Sequence, residues 1–146
     1  MVVLSLRHAD DSDRGFCEWL NRQNMIGYLA SRGIAWDSAR FEASWRDFEN
    51  LIILKSSFAV GHMRLTPEPP TLGLRDLQIL PEYQHQGIGS WAVQQAQAMA
   101  ESRSFRGLKL RVYEENSAEA LYARLGFRPV SIIAGTVHMV WDVPSD

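Results

Sequence analysis

Residues 85 to 93 read HQGIGSWAV, and the fold turns on what this stretch follows. Gly87, Gly89 and Ala92 stand at the spacing of a dinucleotide-binding loop, for which Glu114 would be the ribose-binding acid. In that motif the first glycine directly follows its strand, whereas PEYQHQ, residues 81 to 86, intervenes here. A motif at residue 87 of 146 also leaves too little chain for the rest of a doubly wound sheet. Two other readings compete with it. Either the glycines simply let a strand turn into a helix, or the loop is a pyrophosphate cradle. In a cradle, N–H groups at a helix start, helped by the helix dipole, hold a diphosphate without many basic side chains.

Outward from the loop the periodicity is legible. From Gly87 to about Arg103, residues Ile88, Trp91, Ala92, Ala96 and Met99 share one helical face. Upstream, residues 72 to 80 read as a strand in which Leu72 and Leu74 fall on one parity and Leu77 and Ile79 on the other. A strand changes face only through an extra residue, which predicts a β-bulge near Arg75 and Asp76. TPEPP, residues 66 to 70, breaks the chain before that strand, and LIILKSSFAVGHMRL, residues 51 to 65, reads as two strands about a Ser-rich turn.

The N-terminal VVLSLR is a strand stopped by ADDSD, where Asp10 or Ser12 suits a helix cap. A helix follows from about Arg14 to Ala30 with Gly33 as its stop, and Phe41, Trp45 and Phe48 mark a short second helix. Beyond the loop, GLKLRVY is a strand. NSAEALYARLGF is a short helix with a capping box of Asn116 and Glu119 and a stop at Gly126 and Pro129. PVSIIAGTVHMVW offers two last strands split near Gly135.

At 146 residues the chain buries one core and reads as a single domain over 1–146. Hydrophobic residues at 46% and charged ones at 22% fit a soluble globular protein. The net charge of -2 gives no global field to recruit nucleic acid or an anionic membrane. The opening MVVLSLRHADD has neither the basic region of a signal peptide nor the length of a membrane span, so the expected compartment is the cytoplasm. Cys17 is the only cysteine, which excludes an internal disulfide or a cysteine-based metal cluster and suits a small buried hydrophobe.

Gln84-His85-Gln86-Gly87-Ile88-Gly89 resembles the Gln/Arg-x-x-Gly-x-Gly/Ala signature of the GNAT acetyltransferase superfamily. NSAEALYARLGF resembles that family's second signature, an Asn followed by a helix that carries a Tyr and ends in Gly-Phe. The likeness runs over roughly residues 51 to 142, while residues 9 to 50 match only in helical character. It implies an α/β acyl-CoA N-acyltransferase fold, whose central, mostly antiparallel mixed sheet of about six or seven strands is splayed mid-sheet and flanked by about four helices. The implied activity is transfer of an acetyl group from acetyl-CoA to an amine by direct attack in a ternary complex, with no metal.

By the same resemblance, the pantetheine of acetyl-CoA lies like an extra strand against the backbone of Leu77 and Ile79. The bulge N–H polarises the thioester carbonyl, and Gln84, His85, Gln86, Gly87, Ile88, Gly89 and Ser90 wrap the pyrophosphate. Many members carry basic residues among the loop positions occupied here by Gln84, His85 and Gln86. Asn116 contacts the cofactor in the family, and it equally fits a helix cap. Tyr122 fits a core aromatic beside Ala118, Leu121 and Leu125; the resemblance makes it the general acid. A phenol with an ordinary pKa of about 10 is protonated at neutral pH and can donate to the departing thiolate.

A base is not evident. The mid-strand positions where some members place Glu or His are Gly73 and Arg75, Asp76 is the nearest acid, and His62 and His138 lie on other strands. Each of these fits a solvated or hydrogen-bonded strand residue, and a water chain serves equally well as base. Acceptor choice is assigned to residues 20 to 50. Trp19, Trp36, Trp45, Tyr28, Phe41 and Phe48 cluster in or near them, although their helical spacing makes core packing the default. The expected partner is a small-molecule or protein amine, not nucleic acid or membrane, with a homodimer left open. Two other classes stay open: a non-catalytic acyl-CoA-binding or sensing module of the same fold, and a dinucleotide-binding fragment.

Overall fold

An acidic cluster starts the first helix of the chain. Asp10 accepts from the Ser12 N–H at 2.9 Å while its own N–H donates to Asp13, and the reciprocal pair caps a single helical turn, Asp11–Asp13. The helix α1, Arg14–Ser31, follows and ends where Gly33 takes a φ of 70°. Its closing bonds run from the Gly33 and Ile34 N–H groups to Ala30 and Leu29, the double bond of a left-handed helix stop. Helix α2, Ser38–Asp47, is capped by Asp37, which accepts from the Arg40 N–H at 3.0 Å.

The computed structural model describes residues 2–145. Its strands are β1 (Leu4–His8), β2 (Glu49–Lys55), β3 (Phe58–Glu68), β4 (Thr71–Ile79), β5 (Gly107–Tyr113), β6 (Arg128–Ile133) and β7 (Thr136–Asp142). The remaining helices are α3 (Ile88–Ser102) and α4 (Ala118–Arg124). Among the described residues these strands form one seven-stranded mixed sheet in the order β1-β2-β3-β4-β5-β7-β6. Pairs β1–β2, β2–β3, β5–β7 and β6–β7 are antiparallel, and β4–β5 is parallel. The predicted mixed, mostly antiparallel sheet with four flanking helices is therefore the observed fold.

The chain gathers into two compact units. The first comprises the chain up to Leu65 with Asp76–Gly89, the second Thr66–Arg75 with Ser90 onward, so β4 contributes its second half to the first unit and its first half to the second. In the first unit, Cys17 of α1, Phe41 and Trp45 of α2 and Ile52 of β2 form a buried cluster, with Phe16, Trp36, Leu54 and Ala59 packed against it. Core packing of Trp36, Phe41 and Trp45 is thus as expected, but Trp19 is 51% exposed and takes no part in it.

In the second unit, buried Leu108, Leu110 and Val112 alternate along β5 with Lys109, Arg111 and Tyr113, and Met139 and Val137 stand opposite Leu110 and Val112 in register. The ladder between β4 and β5 runs from Thr71↔Gly107 to Leu74↔Leu110 and stops there, although both strands run on.

One boundary differs from expectation. The expected break at TPEPP comes later: β3 continues through Thr66 and Pro67 to Glu68, and the turn is at Pro69 and Pro70. Pro129 lies in β6, as the reading of PVSIIAGTVHMVW as two strands expected, and the register with β7 slips between Pro129 and Ser131.

Candidate active site

After β4 the chain makes one helical turn at Pro81–Tyr83, pinned by the Leu80 N–H donating to the Val60 carbonyl at 2.8 Å. Residues 84 to 87 are exposed and lead into α3. His85 has a φ of 62° and Gly87 a φ of 84°. A Cβ at Gly87 would meet no atom within 4 Å, so this glycine serves the left-handed backbone rather than a lack of room. His85 holds the same conformation as a non-glycine, at about 1 kcal/mol or more.

The loop side chains turn back on the protein. Gln84 Nε2 donates to the Ile79 carbonyl at 3.0 Å, and Gln86 Nε2 to the Glu82 carbonyl at 3.1 Å. Gln86 Oε1 accepts from Lys55 Nζ at 3.1 Å, with Lys55 also 5.4 Å over the Tyr83 ring. Lys55, at the end of β2, therefore brings beside the loop the cation that the loop itself lacks. The Ile79 carbonyl also accepts from Asn24 Nδ2 at 3.0 Å. A ligand strand alongside Ile79 would have to use its N–H or displace one of these two amides.

On β3, at the far end of its ladder with β2 from Lys55, lies a group that sequence reasoning missed. Arg64 has a side chain only 2% exposed. Its Nε donates to Asn50 Oδ1 and its Nη1 to Asp76 Oδ2, both at 3.0 Å, and its Nη2 donates to Ser44 Oγ. The guanidinium lies 4.4 Å from the Phe41 ring centre and 4.8 Å from that of Phe48. The signal for it was a full charge inside an otherwise apolar strand, HMRL. Asp76, the nearest acid to the proposed bulge, is thus committed to an ion pair.

His62 is not solvated. It has no exposed surface, and neither ring nitrogen meets the geometry of a hydrogen bond. Burial pushes its pKa down to about 3 and the nearby Arg64 charge adds to this, with only the Cys17 backbone pulling the other way. Cys17 is the buried hydrophobe expected: burial raises its thiol to about 12, well away from any nucleophilic role.

The second unit holds Ser90, Asn116 and Tyr122. Asn116 Oδ1 accepts from the Ala118 N–H at 2.9 Å, an Asx turn ahead of α4, while Ser117 occupies the cap position without a side-chain bond. The expected capping box is therefore reduced to its Asn116 half. Tyr122 is 9% exposed and meets Phe127 edge to face at 5.8 Å. Gly126, with a φ of 95°, ends the helix as expected, and the Phe127 N–H returns to the Tyr122 carbonyl at 3.1 Å.

In the same unit Glu68, at the end of β3, reaches over β4. A Cβ on Gly73 would stand 2.0 Å from Glu68 Oε2, so the carboxylate fills the room of the missing side chain. Arg111 Nη2 donates to Oε1 at 3.0 Å, Lys109 Nζ stands 3.8 Å from Oε1, and Arg75 Nη1 stands 3.8 Å from Oε2. Oε2 is buried and accepts no hydrogen bond. His138 pairs with Arg111 in the ladder, and its pKa is lowered by partial burial, then by Arg111 and Lys109, against an opposing pull from Glu68. No sequence signal marks this cluster, which exists only through strand pairing.

The model of the Acetyltransferase (GNAT) family matches residues 5–127. The chain belongs to that family. The match begins well before residue 51, where the sequence likeness was first legible, and leaves β6 and β7 outside it. No curated protein sequence matches the chain. Among solved structures, Ard1 from Thermoplasma volcanium is similar with a TM-score of 0.80 and 12% identity, over 97% of this chain and 99% of that one. The PaiA N-acetyltransferase of Thermoplasma acidophilum, solved with coenzyme A, has a TM-score of 0.76 and 18% identity, over 96% and 99%. The ribosomal-protein-S18-alanine N-acetyltransferase of Escherichia coli has a TM-score of 0.74 and 17% identity, over 99% and 96%. Among the described residues, no group of three or more His, Cys, Asp or Glu side chains could hold a metal ion, and no helix is long and apolar enough to cross a membrane.

Proposed function

We propose that this GNAT family member transfers an acetyl group from acetyl-CoA to an amine, and that residues 1–146 act as one domain. The observation that carries the reading is the loop ahead of α3. Its backbone twice enters the left-handed region and lies exposed, while Gln84 and Gln86 are tied back to Ile79, Glu82 and Lys55. Main-chain N–H groups at a helix start then form the binding surface for a diphosphate, with Gln84 to Ser90 around it and Lys55 adding charge. The family match runs through both compact units, which supports the single domain.

When bound, acetyl-CoA supplies an acyl group as a thioester. The backbone of Leu77 and Ile79 aligns the pantetheine arm, Asn116 contacts the cofactor, and an N–H near Arg75 and Asp76 polarises the carbonyl. The amine nitrogen bonds to the acyl carbon, the C–S bond breaks, and the Tyr122 hydroxyl gives its proton to the departing thiolate. Asp76 is held by Arg64, and His62 has no exposed surface, so the amine loses its proton to water rather than to either side chain. An amine on a small molecule or on a protein fits this scheme equally.

The test is thiol release from acetyl-CoA across an amine panel, in the parent and in Tyr122→Phe. The variant keeps the ring contact with Phe127 and loses only the hydroxyl. Its kcat should fall on the order of 10²-fold to 10⁴-fold with acetyl-CoA affinity nearly intact. A variant that turns over like the parent removes Tyr122 from the mechanism. A parent that binds acetyl-CoA and acetylates no amine favours the non-catalytic binding module.

A further inference from the structure

We propose that Arg75, Lys109 and Arg111 form a binding face for an oxyanion carried by the acceptor, so that the amine acetylated here also bears a carboxylate or a phosphate. The proposal rests on the acetyl-transfer reading and names its substrate class. The side chains of Arg75, Lys109 and Arg111 are 34%, 32% and 34% exposed, whereas Glu68 between them is 19% exposed. Three cations thus stand within 4 Å of one carboxylate. Arg128 of β6 pairs with Asp142 of β7 at 3.0 Å, one cation to one carboxylate.

Glu68 organises the face and is not its ligand-binding group. Its Oε2 lies buried over Gly73, out of reach of an incoming amine. Only the Arg111 contact is short enough to be a hydrogen bond, so the Lys109 ammonium at 3.8 Å is not committed to the carboxylate. A guanidinium fork beside an ammonium, both half-buried, matches a planar carboxylate or a phosphate. An approaching molecule meets cations, and a bare alkylamine, itself a cation, finds no partner there.

His138, opposite Arg111, reports on occupancy without any acetyl-CoA. Its ring is followed by NMR through a pH titration of the whole chain, alone and with inorganic phosphate or acetate. An anion among Arg75, Lys109 and Arg111 offsets the charges that lower the His138 pKa, so each probe should raise it, and Lys109→Met should remove most of the rise while Lys109→Arg keeps it. The transfer arm compares ethylamine, β-alanine and O-phosphoethanolamine, which share an aminoethyl group and differ only in the anion. In thiol release, one or both anionic amines should exceed ethylamine in kcat/KM by on the order of tenfold to a hundredfold, and Lys109→Met should erase the preference.

The better of the two anionic amines distinguishes carboxylate from phosphate. A His138 that responds to neither probe overturns the proposal, as does ethylamine turning over as well as both partners. A His138 response with no acetylation of the three amines overturns the acceptor role of the face. Acetylation of other amines in the wider panel would then leave the enzymatic reading standing.

Discussion

Arg64 and Glu68 lie four residues apart on the same strand, and the protein treats the two charges in opposite ways. Arg64 is sealed from water with bonds to a carboxylate, an amide oxygen and a hydroxyl, and aromatic rings pack near its plane. Glu68 has one oxygen hydrogen-bonded to Arg111, one buried oxygen with no hydrogen bond, and three cations around it that remain partly in solvent. A buried charge that meets its partners in full holds structure together. A charge outnumbered by partly exposed opposites leaves a field for something else to satisfy, and an unsatisfied buried oxygen needs an explanation beyond packing.

The largest effect expected from this contrast is on stability at Arg64. Arg64→Met leaves Asp76, Asn50 and Ser44 without their shared donor and should lower unfolding free energy by about 3 kcal/mol or more, read by urea denaturation. A double variant, Arg64→Met with Asp76→Leu, should recover part of that loss, because it removes the stranded carboxylate as well. An Arg64→Met protein as stable as the parent would erase the distinction between the two charges.

Acid provides the next largest effect, through His62. The folded pKa of about 3 lies below the ordinary 6.5, so between these values the unfolded chain binds a proton that the folded chain does not. Stability should therefore fall as pH drops from 6.5 toward 3, by up to about 1.4 kcal/mol per pH unit from this group alone. His62→Leu should flatten that part of the profile. Asp13, lowered by its hydrogen bonds from Arg7, adds a loss only below the ordinary carboxylate value of 3.8, so the two groups separate by window. Equal slopes for parent and His62→Leu between pH 4.5 and 6.5 would show that His62 is not held neutral by burial.

Local signals account for how much of this was legible in the sequence. The Gly87 and Gly126 positions, the Asp10 cap and the period-two strand at Gly107–Tyr113 are each fixed by residues within a few positions, and all were read correctly. The turn into α3 was readable because a glycine ahead of a helix is itself a local signal. Arg64 and Glu68 were missed because their meaning lies across strands. Nothing near Gly73 in the sequence says that its missing side chain is replaced by the carboxylate of a residue on the preceding strand. His62 was expected to be solvated or hydrogen-bonded; its full burial beside Arg64 and the Cys17 backbone depends on how β3 and α1 pack, which no neighbouring residue announces. TPEPP was expected to stop the strand at once, but Pro67 fits within an eleven-residue β3 that ends only at Glu68.

The smallest expected change in stability, and the sharpest test of the contrast, comes from Gly73→Ala. The new Cβ would stand 2.0 Å from Glu68 Oε2, 2.8 Å from its Cδ and 3.1 Å from its Cγ, all toward the free end of a flexible side chain. Glu68 can therefore swing aside instead of forcing the backbone apart. Alanine gains roughly 0.5 to 1 kcal/mol over glycine within a strand, and the partly exposed ion pairs lost with Glu68 are worth no more than about 1 kcal/mol. The net change in unfolding free energy should be close to zero.

The electrostatic change should not be small. Glu68 is the group that raises the His138 pKa against Arg111 and Lys109, so displacing it should lower that pKa further and loosen the preference for anion-bearing amines. A clear drop in the His138 pKa with little loss of stability would assign Glu68 to the organisation of the cationic face. A destabilised Gly73→Ala protein whose His138 titrates as before would make Glu68 a packing residue like Arg64, and the difference between the two charges would disappear.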